Sequence, residues 1–290
     1  MKLHLRISLA LCGLITVNAQ VSEPNIVQYG LGKSRGYVQT APGTVSPDSF
    51  TFSAFVDAST GGMINGGKIY GPLSSFLGVN GPQLLNLHAG GADFESTTYL
   101  DQGSLDNDFP NDNSGNYVLK IDTGTAGGAL SGGFDYAVSF MLGGDAYAAE
   151  VPTLAINNGF WLGGNFLTDV NSPTSFGWTF SSYNAATDVV LFSIRPQGGG
   201  ENLVDLQFQG SNPGGYTVNA GLLTSGQMYE GQLTFARIVD SPTDVPGVMG
   251  VAFYAMETSF AIQAIPEPST YVLLALGLGV VGWSRWRRRL

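Results

Sequence analysis

Apolar and polar residues alternate with a period of two along most of the chain. Phe50, Phe52, Ala54 and Val56 share one parity, as the side chains of a half-buried strand do. Tyr117, Leu119 and Ile121 repeat the pattern. Its longest run is Phe134, Tyr136, Val138, Phe140 and Leu142, with Asp135, Ala137, Ser139 and Met141 on the opposite face. Phe176/Trp178/Phe180, Val190/Phe192/Ile194, Val204/Leu206/Phe208 and Leu233/Phe235/Arg237/Val239 continue it. The last strands are expected within 248–264, first through Met249/Val251/Phe253 and then through Phe260/Ile262/Ala264. Gly-Gly, Asn-Gly, Asn-Pro and Pro-Gly pairs punctuate these runs. Within the segment between the two ends, helical spacing is confined to single turns near 104–109 and 183–187. The pattern predicts an all-β protein built as an antiparallel β-sandwich, either one jelly-roll-like unit or two sandwich domains.

Composition agrees. The 290 residues include 41 Gly and only 12% charged side chains, against a usual ~25%. Seventeen Phe, 12 Tyr and 4 Trp are too many for a disordered chain, and Gly at this density disfavours helices. Ala148-Ala-Glu-Val-Pro152 reads as a linker, so the expected division is an N-terminal β domain over 20–147 and a second sandwich over 148–264.

Charge separates the two ends from the middle. Lys2 and Arg6 precede an apolar run from Ile7 to Val17, and Val17-Asn18-Ala19 supplies a cleavage site. Residues 1–19 therefore read as a signal peptide cut after Ala19. The single Cys, Cys12, lies inside it, so the mature chain has no cysteine and no disulfide. At the other end an apolar stretch over 269–286 is about 27 Å long as a helix, enough for a thin bilayer. Arg285, Arg287, Arg288 and Arg289 close it as a cytoplasmic stop-transfer cluster. Between the ends, six basic side chains face 22 acidic ones, a net of −16. Such a surface repels nucleic acid and anionic lipid.

Just before the apolar stretch stands Pro266-Glu267-Pro268. A Pro-Glu-Pro motif, a short transmembrane helix and a basic end, in that order, resemble the PEP-CTERM protein-sorting tail of exported proteins of Gram-negative bacteria, here over residues 265–290. The resemblance implies that an exosortase-type membrane protease recognises Pro266, Glu267 and Pro268 and removes the anchor. The chain would sit transiently in the inner membrane and then pass to the cell surface or the exopolysaccharide matrix. Leu105-Asp106-Asn107-Asp108-Phe109-Pro110 leading into Tyr117-Val118-Leu119 is similar to the irregular β-region of other proteins with this tail. Leu223-Thr-Ser-Gly-Gln-Met-Tyr229, followed by Leu233-Thr-Phe235, resembles the tyrosine corner of immunoglobulin and fibronectin type III modules, which implies a bond from the tyrosine hydroxyl to upstream backbone.

Residues suited to catalysis are sparse. His4 aside, His88 stands alone, which excludes a zinc site built on two histidines and leaves a Ser-His-Asp triad no other base. At the end of a strand before Ala89-Gly90-Gly91, it reads as a structural residue. No Gly-x-Ser-x-Gly elbow occurs, and the glycine runs lack the lysine and helix of a phosphate loop. A non-enzymatic protein is expected. Paired carboxylates such as Glu95 and Glu150 are the residual option for a polysaccharide hydrolase. Asp106, Asp108 and Asp112, with Asn111 and Asn113 nearby, are candidate Ca²⁺ ligands, being hard oxygen donors at close spacing. Trp161, Trp178, Tyr183, Tyr70 and Tyr99 are the aromatics a carbohydrate-binding module would stack against sugar rings; the parity of Trp178 places it in the core.

Overall fold

A computed structural model of the chain describes residues 24–72, 82–111, 116–124, 130, 132–212 and 214–265. The signal segment with Ala19, Asp112, the motif Pro266-Glu267-Pro268, the expected helix 269–286 and the cluster Arg285 and Arg287–Arg289 lie outside the described residues. Among the described residues, no helix is long and apolar enough to cross a membrane.

Among the described residues, seventeen strands and one helix follow in order. The first half holds β1 (Ile26–Ala41), β2 (Thr44–Ala58), β3 (Gly66–Tyr70), β4 (Gln83–Leu84), β5 (Asn86–His88), β6 (Gly91–Glu95), α1 (Gln102–Asp108), β7 (Tyr117–Asp122) and β8 (Tyr136–Phe140). The second holds β9 (Ala155–Ile156), β10 (Gly159–Leu162), β11 (Asn165–Asp169), β12 (Thr174–Gly177), β13 (Asp188–Pro196), β14 (Val204–Gln209), β15 (Gly215–Val218), β16 (Met228–Asp240) and β17 (Gly250–Ile265).

One large sheet runs β14-β13-β16-β17-β1-β2-β6-β5, with the β10–β11 hairpin joined to β17. Two small sheets, β4-β3-β7-β8 and β15-β12-β9, pack on its inner face. The architecture is all-β and layered, as the alternation predicts, but the pairing is mixed rather than purely antiparallel. β17 pairs antiparallel with β16 along one edge. Along the other it pairs parallel with β1 through Tyr254 and its neighbours, and then with β11 through Ala261–Ile265. The expected pair of strands in 248–264 is thus one strand of 16 residues. Its polar middle is compatible with a continuous strand because Thr258 donates to the Pro152 carbonyl at 2.5 Å and Glu257 turns to the outer face.

β1 is the strand that alternation misses. Gly30, Gly32 and Gly36 take its outer-face positions, and Lys33 and Arg35 interrupt its inner face. A Cβ at Gly32 would lie 2.5 Å from the Phe253 carbonyl and 2.6 Å from the Phe253 ring, so the bare backbone lets β17 and its side chain close in.

The inner face carries two aromatic cores. In the first, Phe52 stacks on Phe109 at 4.4 Å and on Tyr117 at 5.2 Å, and Tyr29 meets Phe140 edge-on. In the second, Phe176 and Trp178 pack on Phe192, and Phe176 also on Phe260. The segment 148–154 crosses the inner face and is tied down there: Gln39 donates to the Leu154 carbonyl at 2.8 Å and accepts from its N–H at 2.9 Å. The position 147/148 divides the two cores but not the large sheet, since β17 serves both.

Candidate functional site

Between the two cores the inner face turns polar. Lys33 lies level with Tyr254 on β17 and Phe52 on β2, and Arg35 follows two residues on. Above them sits α1, capped at its N-terminus by Asp101, whose carboxylate accepts from Ser104 N–H. Phe109, stacked on Phe52, holds its C-terminal end against the sheet. This places Gln102, Asp106 and, one loop further, Asn111 over the lysine.

The Lys33 side chain is fully buried, 0% exposed. Its Nζ donates to Asp106 Oδ1 at 2.5 Å and to Asn111 Oδ1 at 2.6 Å. Tyr254 Oη also donates to Asn111 Oδ1, at 2.8 Å, while Asn111 Nδ2 donates to Asp145. Gln102 Nε2 donates to both Asp106 oxygens, at 2.9 and 2.8 Å. Arg35 donates to Gln102 Oε1 and to Asp145 Oδ2, and its guanidinium lies 3.7 Å over the Tyr147 ring. Burial draws the Lys33 amine below its ordinary range, against the opposing pull of Asp106. Burial likewise raises Tyr254, Tyr117 and Tyr147, so each hydroxyl stays protonated and able to donate.

Of the candidate calcium ligands, the two among the described residues, Asp106 and Asp108, turn to different partners. Asp106 turns to Lys33 and Gln102, whereas Asp108, two residues along the same helix, accepts from Tyr99 Oη at 2.5 Å. Among the described residues, no group of three or more His, Cys, Asp or Glu side chains is placed to hold a metal ion. Glu150 accepts from Ser181 N–H, while Glu95 ends β6 and acts electrostatically on Glu257. His88 closes β5, its Nδ1 accepting from Gly90 N–H at 3.1 Å.

A second feature is an open groove of about 800 Å³ beside the tip of the β1–β2 hairpin. Phe160, Trp161, Trp178, Thr153 and Thr179 line it. Trp178 is buried and donates to Asn212 Oδ1, as its parity predicts. Trp161 is half-buried, edge-on to Phe166 at 5.6 Å. Its neighbours on β10 are exposed, Phe160 at 51% and Leu162 at 62%. Alternation did not single out Phe160; the unbroken apolar triplet Phe160-Trp161-Leu162 after Asn158-Gly159 was the available signal. Tyr183 packs edge-on against Phe235, and Tyr70 lies near Lys120, both away from the groove.

β17 delivers the chain directly to the terminal segment, Pro266 following Ile265. Residues 264–289 match the family model described as the PEP-CTERM protein-sorting motif. The chain carries a PEP-CTERM tail. That tail marks an exported protein recognised by an exosortase and sorted by way of the membrane to the cell surface. No curated protein matches the chain. Among solved structures it is similar to a marsupial T cell receptor at 15% identity, with 77% of this chain and 72% of that chain covered and a TM-score of 0.21.

Proposed function

We propose that this chain is a non-enzymatic protein of the cell surface or exopolysaccharide matrix, exported by residues 1–19 and held briefly in the inner membrane by a helix over 269–286. An exosortase then cuts it free at the tail. The observation that carries this reading is the PEP-CTERM match over 264–289. The acidic exported segment supports it, since it favours solubility and repels the anionic lipid it leaves. Replacing Pro266, Glu267 and Pro268 with alanine should leave the full-length chain in the membrane fraction, where immunoblotting would find it. Release at the parental level would overturn the processing step.

The groove favours a second reading, carbohydrate binding. Half-exposed Trp161 and exposed Phe160 offer apolar ring faces beside Thr153 and Thr179 hydroxyls, the mixture that sugar rings need. On this reading the mature protein is retained by polysaccharide from the producing organism, and Trp161→Ala weakens retention by at least about tenfold. Blank results in both pull-down and glycan array would dismiss it.

A further inference from the structure

The polar junction holds the components of a covalent cross-link. Lys33 and Asn111 are 78 positions apart, yet the amine contacts the side-chain amide at 2.6 Å. A carbonyl bond is about 1.2 Å long, so the amide carbon lies no more than about 3.8 Å from the nitrogen, close to a near-attack distance. The orientation of Asn111 is determined by its neighbours. Oδ1 takes two donors, Lys33 and Tyr254, and Nδ2 faces the Asp145 carboxylate. The carbonyl is thus polarised by a phenol, and the amide nitrogen points toward Asp145, which is 39% exposed and opens to solvent.

We propose that Lys33 Nζ and Asn111 Cγ join in an intramolecular isopeptide bond, with Asp106 relaying the proton and Tyr254 stabilising the oxygen. Passing a proton from the ammonium to Asp106 frees the amine, whose charged form complete burial disfavours. The freed amine then attacks Cγ. Negative charge grows on Oδ1, where the Tyr254 hydroxyl already donates, as in an oxyanion hole. Collapse breaks Cγ–Nδ2. Asp106 passes its first proton to the departing nitrogen, then takes the second from the attacking nitrogen and hands that on too, so the leaving group departs as ammonium past Asp145. One N–C bond forms, one breaks, nothing is oxidised or reduced, and Asp106 ends as it began.

Asp106 is the other carbonyl carbon near Lys33, but both its oxygens are held by Gln102 and its carboxylate form is a poor electrophile. It serves better as the relay. The aromatic walls, Phe52, Tyr254 and Tyr117, exclude the water that would keep the lysine charged.

The test is mass spectrometry of the full chain and of the mature protein released by its producer. The intact mass should fall about 17 Da below the sequence value, the mass of ammonia. Cleavage after Ala19 would expose Gln20, whose cyclisation loses the same mass, so the deciding datum is a branched tryptic peptide joining Lys33 to Asn111. Lys33→Arg and Asn111→Ala should each abolish that peptide. Asp106→Ala, which retains both reacting groups, should leave most of the protein unlinked, with strand content unchanged by circular dichroism. Unbranched peptides covering Lys33 and Asn111 in folded wild-type protein would overturn the proposal. A Lys33–Asp106 branch with a loss of about 18 Da would overturn the assignment to Asn111.

Discussion

Glu257 sits on the outer face of β17, where Oε2 accepts from Gln232 at 2.8 Å and Oε1 is enclosed, with Ser34 as the nearby hydroxyl that offsets part of the burial cost. Burial raises its carboxyl from 4.5 to about 7, and the charge of Glu95 adds to the rise. The folded state therefore holds a proton that the unfolded chain has released. Stability from this residue is intact below pH 4.5 and declines as pH climbs to about 7, on the order of 3 kcal/mol in all. Glu257→Gln should flatten that decline, read as urea midpoints at pH 5 and about pH 8. Lys33 raises the complementary issue, a basic side chain with no exposure that is answered by Asp106. Composition shows neither group as unusual; only the parity of a strand that had to be found first places Lys33 inward and Glu257 outward.

At the scale of elements, the turn into β16 closes as the tyrosine-corner resemblance implies. Thr224 N–H donates to Tyr229 Oη at 2.8 Å, five residues upstream of the tyrosine, and Tyr229 itself is buried. Tyr229→Phe removes the acceptor and leaves that N–H without its partner, a loss of about 1–2 kcal/mol. Thermal melts should show the loss, together with faster hydrogen exchange at Thr224. Strands whose two faces differ, such as β2, β7, β8, β13 and β16, were legible from alternation alone. β1 was not, because glycines replace the outward side chains that alternation would count and cations occupy inward positions. β17 read as two strands because Glu257, Thr258 and Ser259 interrupt its apolar run, although their partners come from distant segments, Gln232, Pro152 and Tyr37. The short edge strands β4, β5, β9 and β10 carry too few residues to show a period. The junction itself was half legible: Asp106 and Asp108 drew notice as acids, but the lysine that answers Asp106 lies 73 positions away.

Taken together, the described residues form one wide sheet with two small sheets and two aromatic cores on one face, and a polar seam between the cores. With Cys12 its single cysteine, the chain can form no intramolecular disulfide across that seam. A Lys33–Asn111 bond would close a loop of 78 positions and, by the chain-entropy account of cross-links, stabilise the fold by about 4 kcal/mol. The wild type should then unfold well above Lys33→Arg in guanidinium. The pairing of β17 has a mechanical consequence. The strand runs parallel to β1, which begins near one end of the described chain, and it leads straight into the sorting tail at the other. Tension applied between the two ends would pull these neighbours past each other along their length. The ladder would then be loaded in shear, with the hydrogen bonds of ten paired positions resisting together rather than parting one by one.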